Sequence, residues 1–402
     1  MIAGMPEDGR PLDGGRRSAL KGFAAAAMGT LAGLLPGGPS IAQATAANPA
    51  ERTVKSAAQR ARLTVGSAVL SERDDLPSKR YTDILTREFQ LATPGLTFKL
   101  SRIARSPTDL NFVNSDYSYD TLNALGLGVR GHTILWHDYL PDFIKRMTAT
   151  EAKNFFYFYI DQLAGRYAGR LDSWDVVNEP TYFWKGNVAG LRDGPFLNAF
   201  GDKYIEVAFK RVRAIDPSTK LVLNEAFCER GYAVGRFMRV RLLQLIDRLL
   251  DAGAPVQAIG LQAHLQPQHG VAYEEFAAFA QAIADRGLDI YLTELDVDDT
   301  IFPSDRTARD EAVAQVYEKF LTIALANARI RQVIFWGFFD RNTSVPNKAS
   351  VLDRDRKPRP LLYDEDFVAK PAREAVIRAL EHVAPLRTAQ PSVAEPVRQL
   401  KP

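Results

Sequence analysis

Ser173-Trp174-Asp175-Val176-Val177-Asn178-Glu179-Pro180 is a short, mostly apolar run that ends on a carboxylate and a proline. A second stretch of the same form, Tyr291-Leu292-Thr293-Glu294-Leu295-Asp296-Val297, places another glutamate 115 residues further on. A carboxylate at the C-terminal end of a buried strand is where barrel enzymes keep their chemistry. Two of them suggest an acid and a nucleophile facing one cleft.

Outward from these two runs, short β-rich segments alternate with longer segments of helical period. Eight strands are expected, at Leu63 to Val69, Glu88 to Ala92, Val129 to Trp136, Ser173 to Asn178, Leu221 to Asn224, Ala258 to Ala263, Ile290 to Leu295 and Val333 to Phe338. Helices are expected at Ala152 to Tyr167, Asp202 to Ile215, Val234 to Leu250, Tyr273 to Arg286 and Ala308 to Ala326. Eight such units close most naturally into an α/β fold of the (β/α)8 TIM barrel type, a single catalytic domain with its site on the loops after the strands. Glu179 and Glu294 then follow strands four and seven. An open doubly wound sheet is the competing architecture, but no Gly-rich phosphate loop follows the first strand.

The chain has 402 residues, 46% hydrophobic and 25% charged, with a formal net charge of +3. No Lys/Arg cluster is interleaved with aromatics, so nothing argues for nucleic acid. Cys228 is the single cysteine, which excludes an internal disulfide, and no neighbour around it would activate a thiol.

At the N-terminus, Gly15-Arg16-Arg17-Ser18-Ala19-Leu20-Lys21 precedes an uncharged run from Gly22 to Leu35, and Ala42-Gln43-Ala44 offers a cleavage site. This resembles a twin-arginine signal peptide over residues 1–44. It implies the twin-arginine export machinery as a partner, a mature chain starting near Thr45, and a periplasmic or secreted location without stable membrane insertion. The alternative is an uncleaved amphipathic tail. Residues 45–62 read as a linker or first helix, 63–383 as the barrel, and 384–402, with four prolines, as a disordered tail.

The rim of the expected barrel is rich in polar and aromatic groups: Gly131-His132-Thr133-Ile134-Leu135-Trp136-His137, Gln262-Ala263-His264, and Phe335-Trp336-Gly337-Phe338-Phe339-Asp340. Sugars need this mixture, with rings for the apolar faces of a pyranose and polar groups for its hydroxyls. In this order, Val-Arg-Gly-His-Thr-Ile-Leu-Trp-His at 129–137, Trp-Asp-Val-Val-Asn-Glu-Pro at 174–180, Leu-Thr-Glu-Leu-Asp at 292–296 and Pro-Leu-Leu-Tyr-Asp-Glu-Asp-Phe from 360 resemble glycoside hydrolase family 10, the retaining endo-β-1,4-xylanases. The resemblance runs from about Leu63 to Leu380.

Carried over residue by residue, the resemblance implies Glu179 as acid/base and Glu294 as nucleophile, with carboxyl groups about 5 to 5.5 Å apart. It implies Asn178 as the partner of the sugar 2-hydroxyl, His264 as the partner of the nucleophile, and Asp296 as the orienter of His264. Lys99, His132, Trp136, Gln262 and Trp336 match positions lining the subsite of the cleaved sugar. The implied partner is a polysaccharide or oligosaccharide, and no cofactor or metal is called for.

Departures fall outside that subsite. Gly95 and Leu96 replace two polar groups that would grip the next sugar, Tyr139 stands where Gln is usual, and Ser344 stands where a second Trp is usual. Gln90 and Glu225 replace Asn and Asp. Lost hydroxyl partners change specificity more than catalysis, so unsubstituted xylan is expected to be a poor substrate. Two other readings stay open: a catalytically silent glycan-binding protein on a glycosidase barrel, and a metal-dependent barrel hydrolase using His132, His137 and His264. Against the second, the five histidines are dispersed and no His-x-His occurs.

Overall fold

The computed structural model describes residues 52–70, 78–182, 190–345 and 356–389. The expected signal segment and the far C-terminus lie outside the described residues. Eight parallel strands form a closed ring: β1 (Thr64–Val69), β2 (Leu91–Pro94), β3 (Gly128–Gly131), β4 (Ser173–Asn178), β5 (Lys220–Glu225), β6 (Ala258–Leu261), β7 (Asp289–Val297) and β8 (Ile330–Phe335). Each pairs with the next, and β1 closes on β8 with Thr64 opposite Gln332 and Val65 opposite Val333. This is the expected (β/α)8 barrel.

A helix follows each strand: α1 (Lys79–Glu88), α2 (Val113–Ala124), α3 (Ala149–Arg166), α4 (Tyr204–Ile215), α5 (Tyr232–Asp251), α6 (Tyr273–Ala284), α7 (Arg306–Ala324) and α8 (Pro371–Ala389). A short helix at Val54–Arg60 precedes β1, closed at its start by a capping box in which Thr53 and Ser56 satisfy each other's backbone N–H. The same device starts α3 from Thr148 and Glu151. All of β4 and nearly all of β7 are buried, because helices cover the sheet from outside and side chains fill the barrel from within.

The second strand lies later than its expected place. Glu88, assigned to a strand from sequence, ends α1 and is fully buried; its carboxylate accepts bonds from the Val54 N–H, the Tyr363 hydroxyl and Arg373. A buried charge with such partners is a structural hub, and β2 begins after it and stops at Pro94, which has no N–H for the ladder.

The C-terminal boundary also moves. Residues 384–389 continue α8 in spite of Pro385, and Arg387 is only 3% exposed. Its guanidinium donates to the carbonyls of Ala61, Leu325, Asn327 and Ile330 at 2.7 to 2.9 Å. Those carbonyls lie at the strand-start end of the barrel, opposite the site, so this arginine ties the last helix to the floor of the fold. Among the described residues no helix is long and apolar enough to cross a membrane.

Candidate active site

The two glutamates emerge where their strands lose regularity. Glu179 directly follows β4 with φ of 51°, a left-handed conformation that a non-glycine residue adopts only when its surroundings impose it. Its N–H still donates to the Asn224 carbonyl at 2.8 Å, so the turn redirects the side chain without releasing the backbone from β5. Glu294 lies inside β7, where the pairing with β8 shifts register between Leu292 and Leu295. Irregularities of this kind re-aim side chains beside active sites.

Three buried amides join the two carboxylates. Gln262 Nε2 donates to Glu179 Oε1 at 2.9 Å and lies 3.4 Å from Asn178 Oδ1. Asn224 Nδ2 donates to Asn178 Oδ1 and to Glu294 Oε1, both at 2.8 Å, while its own Oδ1 accepts from the Thr293 hydroxyl at 2.7 Å. Gly260 permits that arrangement, since a Cβ there would stand 2.2 Å from Asn224 Oδ1. The path from Glu179 to Glu294 therefore runs through Gln262, Asn178 and Asn224 without a gap.

The far side of Glu294 carries a charge relay set by strand register. After Ala263, itself at φ 59°, His264 and Leu265 form a two-residue extension that pairs with β7, with His264 opposite Asp296. His264 Nδ1 donates to Asp296 Oδ1 at 2.9 Å, and its Nε2 is 3.3 Å from Glu294 Oε2. Burial disfavours the charged imidazole, but the two flanking carboxylates outweigh it and raise His264 well above the ordinary histidine value. Burial alone would push the Glu294 carboxyl up. The His264 hydrogen bond, the neighbouring His132 and the Asn224 amide together overcome it and hold Glu294 at about 2. Asp296 is raised, with burial outweighing the attraction of His264.

The remaining predicted positions form the wall around this pair. His132 Nδ1 is 2.8 Å from Asp175 Oδ2, and the buried Arg130 pairs with the other oxygen of Asp175. Ring contacts run from His264 to Trp336 (6.3 Å between centroids), from Trp336 to His132 (5.3 Å), and from His132 to Trp136 (6.4 Å). Lys99 is 7% exposed and its ammonium stands 4.8 Å from the Trp136 ring; burial lowers its pKa against the pull of Glu294 and Glu179. All ten sequence-predicted residues are thus in or directly behind one cleft.

The departing positions have definite places. Tyr139 continues the aromatic wall, stacked on Trp136 at 5.2 Å and 14°, with Lys99 Nζ 4.4 Å from its ring. Gly95 lies beneath Trp336, where a Cβ would meet Leu70 at 2.5 Å and the indole at 3.6 Å. Ser344 is exposed. Gln90 accepts from the Val65 N–H at 3.1 Å and Glu225 from the Thr181 N–H and hydroxyl, so both tie the framework together.

The histidines do not converge: His132 is committed to Asp175, His264 to Asp296 and Glu294. His137 stands apart, pushed down to about 4 by burial and by Arg192. Among the described residues no three His, Cys, Asp or Glu side chains gather as metal ligands. The Cys228 thiol is fully buried and pushed well above its ordinary value, mainly by burial, which leaves it inert as a nucleophile.

Two contributors escaped the sequence reading. Asn224 had a signal, because Leu223-Asn224-Glu225 repeats the form of Val177-Asn178-Glu179 at the end of the neighbouring strand. Arg192, whose guanidinium is 3.8 Å from Glu179 Oε2, sits on a loop and carried none.

A closed (β/α)8 barrel with paired carboxylates, an amide bridge and an aromatic wall at the C-terminal ends of its strands defines a sugar-cleaving barrel as the class of protein. The chain belongs to glycosyl hydrolase family 10, whose model matches residues 53–379. It is 28% identical over 317 residues to endo-1,4-beta-xylanase B of Thermotoga neapolitana, covering 76% of this chain and 88% of that protein. Endo-1,4-beta-xylanase 1 of Humicola insolens is 28% identical over 348 residues, with 83% and 76% covered. Among solved structures, native xylanase 10B from Thermotoga maritima aligns with a TM-score of 0.73 at 28% identity, over 83% of this chain and 99% of that one. Xylanase 10B from Thermotoga petrophila RKU-1 in complex with xylobiose gives 0.73 at 27%, over 83% and 98%.

Proposed function

We infer that the chain is a retaining endo-β-1,4-glycanase acting on xylan or a related β-linked polysaccharide. The observation that carries this reading is the amide bridge that holds two carboxylates in unlike environments. Glu294, held ionised by His264, attacks the anomeric carbon while Glu179 gives its proton to the leaving oxygen. A covalent glycosyl-enzyme forms on Glu294. Glu179 then takes a proton from the water that attacks the same carbon, and the glycosyl–Glu294 bond breaks. Asn178, fixed between two amides, is positioned for the sugar 2-hydroxyl, a contact that strengthens as charge develops on the ring. The xylanase names of the relatives support a xylan-type substrate, and no cofactor is needed for these steps.

The polymer itself is set beyond the cleaved sugar. Gly95 and Leu96 offer no side-chain hydrogen bond there, and Tyr139 offers a ring face, so a substituted or branched chain suits the cleft better than plain xylan. The twin-arginine-like leader supports export as the route to such a polymer. Release of the aryl group from an aryl β-xyloside tests the reading. Glu294→Ala should abolish it, whereas Glu179→Ala should keep the first step, read as kcat/KM, for an activated leaving group and lose it for others, with breakdown of the glycosyl-enzyme slowed in both cases; full activity in Glu294→Ala contradicts the reading.

A further inference from the structure

We propose that Arg192 is a positioning residue for Glu179, holding its carboxylate as the anion required between the two halves of the reaction. The proposal rests on the acid/base assignment of Glu179. The two oxygens of that side chain face different groups: Oε1 accepts from the Gln262 amide at 2.9 Å, and Oε2 faces the Arg192 guanidinium at 3.8 Å. Both side chains are 15% exposed, so the pair is poorly screened by water.

The backbone delivers Arg192 to this place. Its N–H donates to the Pro180 carbonyl at 2.8 Å, Tyr182 donates to Gly190 at 2.9 Å, and Thr181 pairs with Leu191 in an antiparallel bridge. The chain thus returns to the residue next to Glu179, anchored by the fully buried Leu191. Among the described residues Nε of Arg192 and Nδ1 of His137 have no hydrogen-bond partner, and both residues line the same small cavity as Asn178 and Glu179.

Other charges act on Glu179 from each side. Lys99 across the cleft attracts its negative charge, and Glu294 lies at the other end of the amide bridge; Glu225, behind Thr181 on β5, is raised to about 7 by burial and repels Glu179 only where both are ionised. His137, held neutral near pH 7, adds no charge. Arg192 is the cation that faces Glu179 Oε2, at 3.8 Å. In the first step the Glu179 proton passes to the glycosidic oxygen as the C1–O bond breaks and the Glu294–C1 bond forms, leaving an anion facing Arg192. In the second, the water–C1 bond forms, the Glu294–C1 bond breaks, and the water proton returns to Glu179.

The test compares Arg192→Met and Arg192→Lys in the full chain by the pH profile of kcat/KM. With an aryl β-xyloside whose leaving group needs protonation, the basic limb should move up by about one pH unit in Arg192→Met and stay in place in Arg192→Lys. With a dinitrophenyl leaving group, which needs no acid, neither variant should move the limb. Azide rescue of Glu179→Ala should fall at least about fivefold in Glu179→Ala/Arg192→Met, because azide would then lack the cation. A basic limb that stays put in Arg192→Met, with azide rescue intact, overturns the proposal and leaves Arg192 a merely structural role. A wild-type chain that cleaves no aryl β-glycoside defeats the parent reading instead.

Discussion

Replacing Asn224 with alanine removes the centre of the amide bridge. The lost hydrogen bonds are the 2.8 Å donation to the Glu294 carboxylate, the 2.8 Å donation to Asn178, and the 2.7 Å bond from Thr293. A bond to an ionised group contributes roughly 1.5–3 kcal/mol and each neutral one about 1 kcal/mol, so stability should fall by about 3.5–5 kcal/mol. The Glu294 carboxyl, held at about 2, loses one of its supports and rises. At about 1.4 kcal/mol per pH unit, the acid limb of kcat/KM should move up by roughly one unit. Asn178 also loses its fixed orientation, and we expect kcat/KM on an aryl β-xyloside to drop by about 10²-fold, equivalent to ~2.7 kcal/mol of transition-state stabilisation. The assay is initial-rate hydrolysis across pH with short incubations, alongside thermal unfolding. A variant with wild-type kcat/KM and an unmoved acid limb would show that Asn224 supports neither Glu294 nor Asn178, whatever its stability.

Glu229 is 1% exposed, neither carboxyl oxygen has a hydrogen-bond partner among the described residues, and burial raises it to about 7. Its folded pKa lies above its unfolded value, so stability is greatest below pH ~4.5 and is lost as pH rises through 7, by about 3 kcal/mol. Glu229→Gln should therefore raise Tm at pH 8 by about 4 °C and leave it nearly unchanged at pH 4; equal shifts at both pH values would contradict this. Arg387→Met should lower Tm by at least about 4 °C through orphaned carbonyls while leaving kcat/KM at 25 °C intact, as measured by thermal melts and aryl β-xyloside assays. Tyr139→Ala should weaken the hold on Lys99 and remove a sugar-stacking face worth about 1 kcal/mol, seen as a roughly fivefold rise in KM with little change in kcat.

The parts of the fold legible from sequence were those where one signal dominated. Ser173 to Asn178 was bounded correctly because a buried parallel strand reads as a short apolar run with sharp ends. No helix was expected over Val113–Ala124 because its sequence is polar, with only Ser115, Ser118, Tyr119 and Leu122 buried. Its stability comes from packing against the barrel, which no local pattern reports. The ten residues proposed from sequence come together around one cleft, and most of them lie in short motifs at strand ends, where a local pattern is legible. Arg192 was not legible, since it lies thirteen positions after Glu179 and meets it only because residues 190–192 pair back onto 180–182. Tyr139 shows a further limit: its identity was plain, but its stack on Trp136 and Lys99 became visible only in three dimensions.

In the proposed mechanism Glu294 forms a covalent bond to the sugar while Glu179 manages the proton. A 2-deoxy-2-fluoro β-glycoside with a dinitrophenyl leaving group slows both steps through the fluorine while the activated leaving group keeps formation of the glycosyl-enzyme faster than its breakdown, so the intermediate accumulates for intact-mass and peptide analysis. One fluoroglycosyl group per chain is expected, carried by the peptide containing Glu294 and absent from Glu294→Ala. A label on any other residue, or turnover of an unmodified substrate to a product of inverted anomeric configuration, would contradict this mechanism.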